Sequence, residues 1–292
     1  MFVFLNDKYL QHNEANISID DRGFHFGDGI YDIMLLHNGV ILDDKRHFER
    51  TKSCAEFVKI NFKYSNKEIT AIVEKLCEIN KIQNGKIILV ASRGSTDRWD
   101  VDFSTTKPNF LIYIKDADNK ISQNQITKMK IKITEDIRWK FRNIKTACLL
   151  PSVIARIDAS SEGFDDVVYI ENGFVNEISR SNIFIVKEAN IITPPDSEKI
   201  LSGITMKRII DLMANISDFQ DKISNNSYQI LSQMNIIRKA ISIEELLNAD
   251  EVFASSATMR IGSISKIDHK DFTESKVANA LLELYDSWVI NH

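Results

Sequence analysis

Glu135-Asp136-Ile137-Arg138-Trp139-Lys140-Phe141-Arg142-Asn143-Ile144-Lys145-Thr146 is the stretch that decides how this 292-residue chain is read, together with Asn176-Glu177-Ile178-Ser179-Arg180-Ser181-Asn182-Ile183-Phe184. Lys145 ends an alternating, strand-like run, and the apolar residues from Ala147 to Ile157 have helical spacing. A lysine at such a junction can project into a cleft. Taken alone it reads as one more solvated surface lysine. Its company in the chain, above all the Asn176-Glu177 pair, changes that reading.

Outward from there, the composition bounds the possibilities. With 43% hydrophobic and 27% charged residues the chain is globular, and its length suits one large or two ordinary domains. A net charge of −4 and a pI near 5.9 argue against a nucleic-acid partner, which would call for a basic face. No apolar run is long enough to cross a bilayer, and Met1-Phe2-Val3-Phe4-Leu5-Asn6-Asp7 lacks the basic start of a signal peptide, so a cytoplasmic protein without a membrane partner is expected. Cys54, Cys77 and Cys148 are scattered with no C-x-x-C, as in a reducing compartment. The six histidines make no H-x-H or H-E-x-x-H, so no metal site is expected.

Strands are predicted at Phe2–Leu5, around Tyr9-Leu10, and from Ile30 to Leu36, the last turning at Asn38-Gly39 into Val40-Ile41-Leu42. Asp44 to about Ile60 has helical spacing, with Phe48, Cys54, Phe57 and Val58 as inner-face candidates; Asn66 to Ile82 is a second helix. Strands at Lys86–Arg93 and Asn109–Ile114 complete a small α+β domain over residues 1–115. The polar run 116–125 is the linker candidate. Residues 126–292 form a larger domain with strands at Met129–Thr134, Val167–Ile170, Phe174-Val175, Asn182–Val186 and Val252–Ser255. Its helices fall near Ala147–Ser160, Ile204–Ile216 and Ala278–Val289, and the polar segment Ser217 to Lys239 reads as a surface insertion.

Several blocks together resemble the class IV, fold-type IV aminotransferases, which use pyridoxal 5′-phosphate (PLP). Asp21-Arg22-Gly23-Phe24-His25-Phe26-Gly27-Asp28-Gly29-Ile30-Tyr31-Asp32 is similar to the family's D-R-G-x-x-F-G-D-G-x-Y/F-E pattern. His47-Phe48-Glu49-Arg50, Lys145, Asn176-Glu177 and Leu201-Ser202-Gly203-Ile204-Thr205 follow in the family's order. The resemblance implies an α+β two-domain fold, a homodimer, and transamination between an amino acid and a 2-oxo acid such as 2-oxoglutarate. It casts Lys145 as the Schiff-base lysine and proton-transfer base, with an amine pKa lowered by desolvation. Glu177 would face the pyridine nitrogen. Arg50 would grip the phosphate with its planar fork, joined by Ile204 and Thr205 at a helix N-terminus and by a second cup at Ser256 and Ala257, where many relatives carry threonine instead of the alanine. Tyr31 would line the substrate pocket, as in the D-amino acid branch. Arg98 would take the substrate carboxylate from the partner subunit; the histidine expected two residues on is Asp100 here. A D-amino acid aminotransferase is the favoured branch. The alternatives are a branched-chain L-amino acid aminotransferase, aminodeoxychorismate lyase, or a homologue that binds PLP without catalysis.

Overall fold

The computed structural model describes residues 1–97, 99–100, 102–116 and 125–291. The chain divides into two compact units: Met1–Asn119 with Ile144–Leu149, and Lys120–Asn143 with Leu150–His292. Both mix helices with sheets, an α+β architecture.

The first unit is built on an antiparallel sheet of β1 (Phe2–Leu5), β2 (Lys8–Gln11), β3 (Gly29–His37), β4 (Val40–Ile41), β5 (Gly85–Ser92) and β6 (Asn109–Asp116), in the order β2-β1-β6-β5-β3-β4. Asn38 and Gly39 both have positive φ, 48° and 79°, which gives the hairpin turn the twist its strands need. Helix α1 (Arg22–Phe26) is a short scaffold before β3, and α2 (Asp44–Phe57) and α3 (Asn66–Asn80) follow. Ser65 caps α3 and Glu68 closes a capping box, while Ile69, Ile72, Val73, Leu76 and Cys77 make its buried face. Burying each large aliphatic there is worth roughly 1.5–3 kcal/mol. In α2 the inner face is His47, Phe48, Thr51, Cys54 and Ala55; Phe57, expected inside, is exposed because the helix ends beneath it.

The second unit holds a nine-stranded sheet. It comprises β7 (Thr127–Glu135), β8 (Asp166–Glu171), β9 (Phe174–Ile178), β10 (Asn182–Lys187), β11 (Asn190–Thr193), β12 (Asn235–Arg238), β13 (Glu251–Ser256), β14 (Arg260–Ile267) and β15 (Lys270–Asp271). The order is β12-β11-β10-β13-β14-β7-β8-β9, with β15 paired to β14. Its helices are α4 (Leu150–Ser161), α5 (Ile204–Ala214), α6 (Asn225–Ser232), α7 (Ile243–Leu247) and α8 (Lys276–Ile290). Ile131, Val168, Ile178, Ile183, Val252 and Ile264 anchor one apolar cluster. The buried Glu251 of β13 accepts hydrogen bonds from the Val277 and Ala278 N–H groups, so a strand carboxylate caps α8.

Two expectations need correction here. The segment 217–239 is no loose insertion: α6 packs on α8, Phe219, Ile223 and Leu231 are buried, and β12 pairs in parallel with β11. Its polar residues misled because Ser224 and Ser227 spend their hydroxyls on Glu283 of α8. Nor does a helix begin at Ala147. Residues 136–144 are irregular, and Thr146 bridges Ile30 while the Ala147 N–H donates to the Gly29 carbonyl at 2.8 Å. This excursion occupies the edge of β3 that β4 leaves uncovered. Of the proposed linker, residues 117–124 lie outside the described residues.

Candidate active site

Lys145 sits on that excursion, in the first unit. Its carbonyl accepts from the Tyr31 N–H at 3.1 Å, its own N–H points to Cys54 Sγ at 3.4 Å, and its Nζ lies 4.3 Å from the Tyr31 ring centroid. Gly27 lets the segment come this close: its φ is +65°, and a Cβ there would lie 3.1 Å from Cys148 Cα. Burial pushes the Cys54 thiol up, so it meets the lysine backbone as a neutral group.

Beside Tyr31 on β3 lies Asp32, fully buried, and α2 turns the Arg50 guanidinium and the His47 ring onto it. Arg50 donates Nε to Oδ2 at 2.9 Å and Nη2 to Oδ1 at 2.7 Å, and His47 Nδ1 is 3.0 Å from Oδ1. Burial opposes ionisation of Asp32, but Arg50 and His47 outweigh it and hold the carboxyl far below the usual range. Burial likewise disfavours the Arg50 charge, and Asp32 more than restores it. Asp32 was missed by the sequence reading. Its signal was a lone acid inside the apolar run Ile30 to Leu36, since a buried charge needs partners.

Asp100 lies in the same unit on the wall of a polar groove of about 390 Å³, with Ser95, Thr96, Asp102, Lys107 and Asn109. Its N–H donates to Asp97, and it hydrogen-bonds neither Lys145 nor Tyr31. Arg98 lies outside the described residues.

The second unit gathers the remaining candidates. Glu177, at the end of β9, is buried; Oε1 accepts from Arg138 Nη1 at 2.8 Å and Oε2 from the Leu201 N–H at 3.0 Å. Arg138 is itself clamped by Asp136 and lies 4.1 Å over the Tyr169 ring, while Asn176 donates to Asp136. Burial raises the Glu177 pKa, and the Arg138 charge works against that rise. Asp136 and Arg138 stand in the stretch around Lys145, but nothing in their spacing announced that Arg138, clamped by Asp136, holds Glu177.

Asn182 ties the two cups together. Its Nδ2 donates to the Leu201 carbonyl at 2.8 Å, and its cross-strand partner in β13 is Ser255. A Cβ on Gly203 would lie 1.8 Å from Asn182 Oδ1, so only glycine fits. Gly203 caps α5 without any side-chain bond, which leaves the first-turn N–H groups at Ile204 and Thr205 open. The Ser255 hydroxyl is buried and has no partner among the described residues. Ser256 and Ala257 stand at the head of the β13–β14 turn, where Ser256 Oγ accepts from the Met259 N–H. An open helix N-terminus beside an orphaned hydroxyl suits a phosphate dianion, and a buried carboxylate bonded to the Leu201 N–H of the same loop suits a protonated ring nitrogen. These residues fit PLP. Among the described residues no His/Cys/Asp/Glu cluster could hold a metal ion, and no helix is long and apolar enough to cross a membrane.

Residues 29–267 match the family described as amino-transferase class IV. A D-alanine aminotransferase of Staphylococcus haemolyticus is 30% identical over 98% of this chain and 96% of its own length, and one of Bacillus licheniformis is 28% identical over 92% and 89%. A branched-chain aminotransferase of Thermoproteus uzoniensis, solved with norvaline, superposes with a TM-score of 0.86 at 20% identity, covering 100% of this chain and 95% of that one. A hypothetical aminotransferase of Mycobacterium tuberculosis in its PLP-bound form gives 0.83 at 16% identity, covering 100% and 99%. The chain belongs to the class IV aminotransferases, enzymes that work with pyridoxal phosphate.

Proposed function

We propose that this enzyme moves the amino group of a D-amino acid, with D-alanine as the reference substrate, to a 2-oxo acid such as 2-oxoglutarate. The observation that carries this reading is Tyr31 beside Lys145, in a chain whose near-full-length relatives are D-alanine aminotransferases. PLP, when bound, supplies an electron sink for the bond broken at the substrate Cα.

The chain's own residues supply the rest. Lys145 would hold the cofactor through its amine and, once released, move the proton at Cα; its fixed backbone limits where that amine can reach. Glu177 would keep a proton on the ring nitrogen, with Arg138 holding the carboxylate in place. Arg50, the first turn of α5 at Ile204 and Thr205, and the turn at Ser256 and Ala257 would share the phosphate. Ala257 offers only its backbone N–H, and the nearby Ser255 hydroxyl supplements it. Tyr31, Arg98 and Asp100 would set which acid enters. Asp100 is the feature that favours a second reading: a carboxylate two positions after Arg98 in the sequence would compensate a cation meant for the substrate, which points toward L-amino acids or amines.

The working form would be a cytoplasmic homodimer of two-domain subunits; the larger domain, residues 126–292 apart from Ile144–Leu149, would carry Glu177 and the phosphate cups. Leu150, Val153, Ile154 and Ile157 are all exposed along one face of α4, an apolar stripe that supports pairing with a second copy. The deciding experiment is a panel of D- and L-amino acids with 2-oxoglutarate. Turnover of D-alanine well above L-alanine is expected; the reverse order sinks the D-amino acid reading and leaves the family intact.

A further inference from the structure

Asp32 has no part in the chemistry just described, yet it is among the most heavily bonded side chains in the first unit. Oδ1 accepts from Arg50 Nη2 at 2.7 Å and from the Ile33 N–H at 2.7 Å, with His47 Nδ1 at 3.0 Å; Oδ2 accepts from Arg50 Nε at 2.9 Å and Thr51 Oγ1 at 3.4 Å. His47, Arg50 and Thr51 lie within about one turn of α2, so a single helix face supplies the donors. Arg50 thereby commits one complete edge of its fork, and Nη1 makes no protein hydrogen bond among the described residues.

We propose that Asp32 is the positioning residue for the cofactor phosphate: it fixes the Arg50 fork so that Nη1 is presented as a preset donor before PLP arrives. The inference rests on Arg50 as the phosphate grip. An arginine free to sample its rotamers would have to be ordered by the incoming phosphate, and a side chain fixed beforehand spares that cost. Removing the Asp32 charge has two opposite effects. It frees the fork, which weakens phosphate binding, and it unmasks a cation, which strengthens it. The sign of the change therefore reports which role Asp32 has.

The test uses enzyme stripped of cofactor and two probes, PLP and pyridoxal, which shares the ring and aldehyde but lacks the phosphate. The ratio taken, the dissociation constant of pyridoxal divided by that of PLP, reads the phosphate contact alone. Arg50→Ala should collapse the ratio; if it does not, the phosphate role of Arg50 fails, whatever Asp32 does. Asp32→Asn should lower the ratio by about ten- to a hundredfold, by analogy with the range for groups that orient metal ligands, with pyridoxal affinity nearly unchanged. The double variant should be no worse than Arg50→Ala, because the two act as one unit. Asp32→Glu keeps the buried charge and folds more readily; it shifts the acceptor by one methylene and should lower the ratio less. With Arg50→Ala collapsed, an unchanged or raised ratio in Asp32→Asn, or an unchanged one in Asp32→Glu should Asp32→Asn not fold, overturns the proposal. Equal weakening of both probes also overturns it, since that marks a merely structural carboxylate.

Discussion

Lys145 is held by its backbone on two sides, so shortening its side chain should leave the fold alone and remove both the amine and the proton carrier. Lys145→Ala is expected to lose turnover by several orders of magnitude; borohydride reduction followed by mass spectrometry should label Lys145 in the parent and nothing in the variant. Glu177 gives a second test, through pH. Burial raises its pKa and Arg138 restrains it, so Arg138→Met should let the value climb further. If turnover needs the ionised carboxylate, the acid limb of the pH–rate profile moves to higher pH in Arg138→Met. An unmoved limb would separate Arg138 from the chemistry. At Asp100, replacement by His removes a negative charge and adds a donor, so kcat/KM for D-alanine should hold or rise. A fall would mean that the carboxylate itself serves the substrate. Lys145, Glu177 and Arg50 could be proposed from the sequence because the resemblance to the family's pattern singles them out. Asp32 and Arg138 were not, because each acts on a residue remote in sequence, and only the fold brings them together.

At the scale of elements, the hairpins were the clearest part of the sequence. Asn38-Gly39 and Asn172-Gly173 both fold as turns with positive φ, since that dipeptide suits few other conformations. The start of α4 misled because the run from Ala147 has helical periodicity, while its first residue is claimed by the edge of β3. Periodicity records local preference, and a strand partner more than a hundred residues away overrides it. The junction before α5 is the most tightly specified element in the second unit. Gly203→Ala would press a methyl onto Asn182 Oδ1 and displace either the Leu201 anchor or the helix start. PLP retention should fall markedly on dialysis. Thermal unfolding of the cofactor-free form should shift only modestly, which distinguishes a damaged cup from a damaged core.

Over the whole molecule, two buried aspartates push stability in opposite directions with pH. Asp32 has a depressed pKa, so its contribution is complete above the ordinary carboxylate value near 4 and is lost as pH falls below it. Asp286 on α8 is the reverse. Burial raises it to about 6 despite its bond to Arg260, so the folded chain holds its proton longer than the unfolded one and stability declines as pH rises from about 4 to about 6. Asp286→Asn should flatten that decline. Urea midpoints at pH 4.5 and pH 7 measure it, and an unchanged difference between them would mean that Asp286 titrates normally.

The return of residues 145–147 to the edge of β3 also sets a timetable. Tyr31 and Lys145 are 114 residues apart (145 − 31), so every other strand of the first sheet is synthesised before its last edge pairing exists. A ribosome adds roughly 5–20 residues each second, and the 29 residues between the end of β6 and Lys145 (145 − 116) keep that edge open for a matter of seconds. An open edge is a template for wrong pairing. Lys145 arrives on the very segment that closes it, so a nascent chain sets its candidate amine in place and covers an open edge in one event.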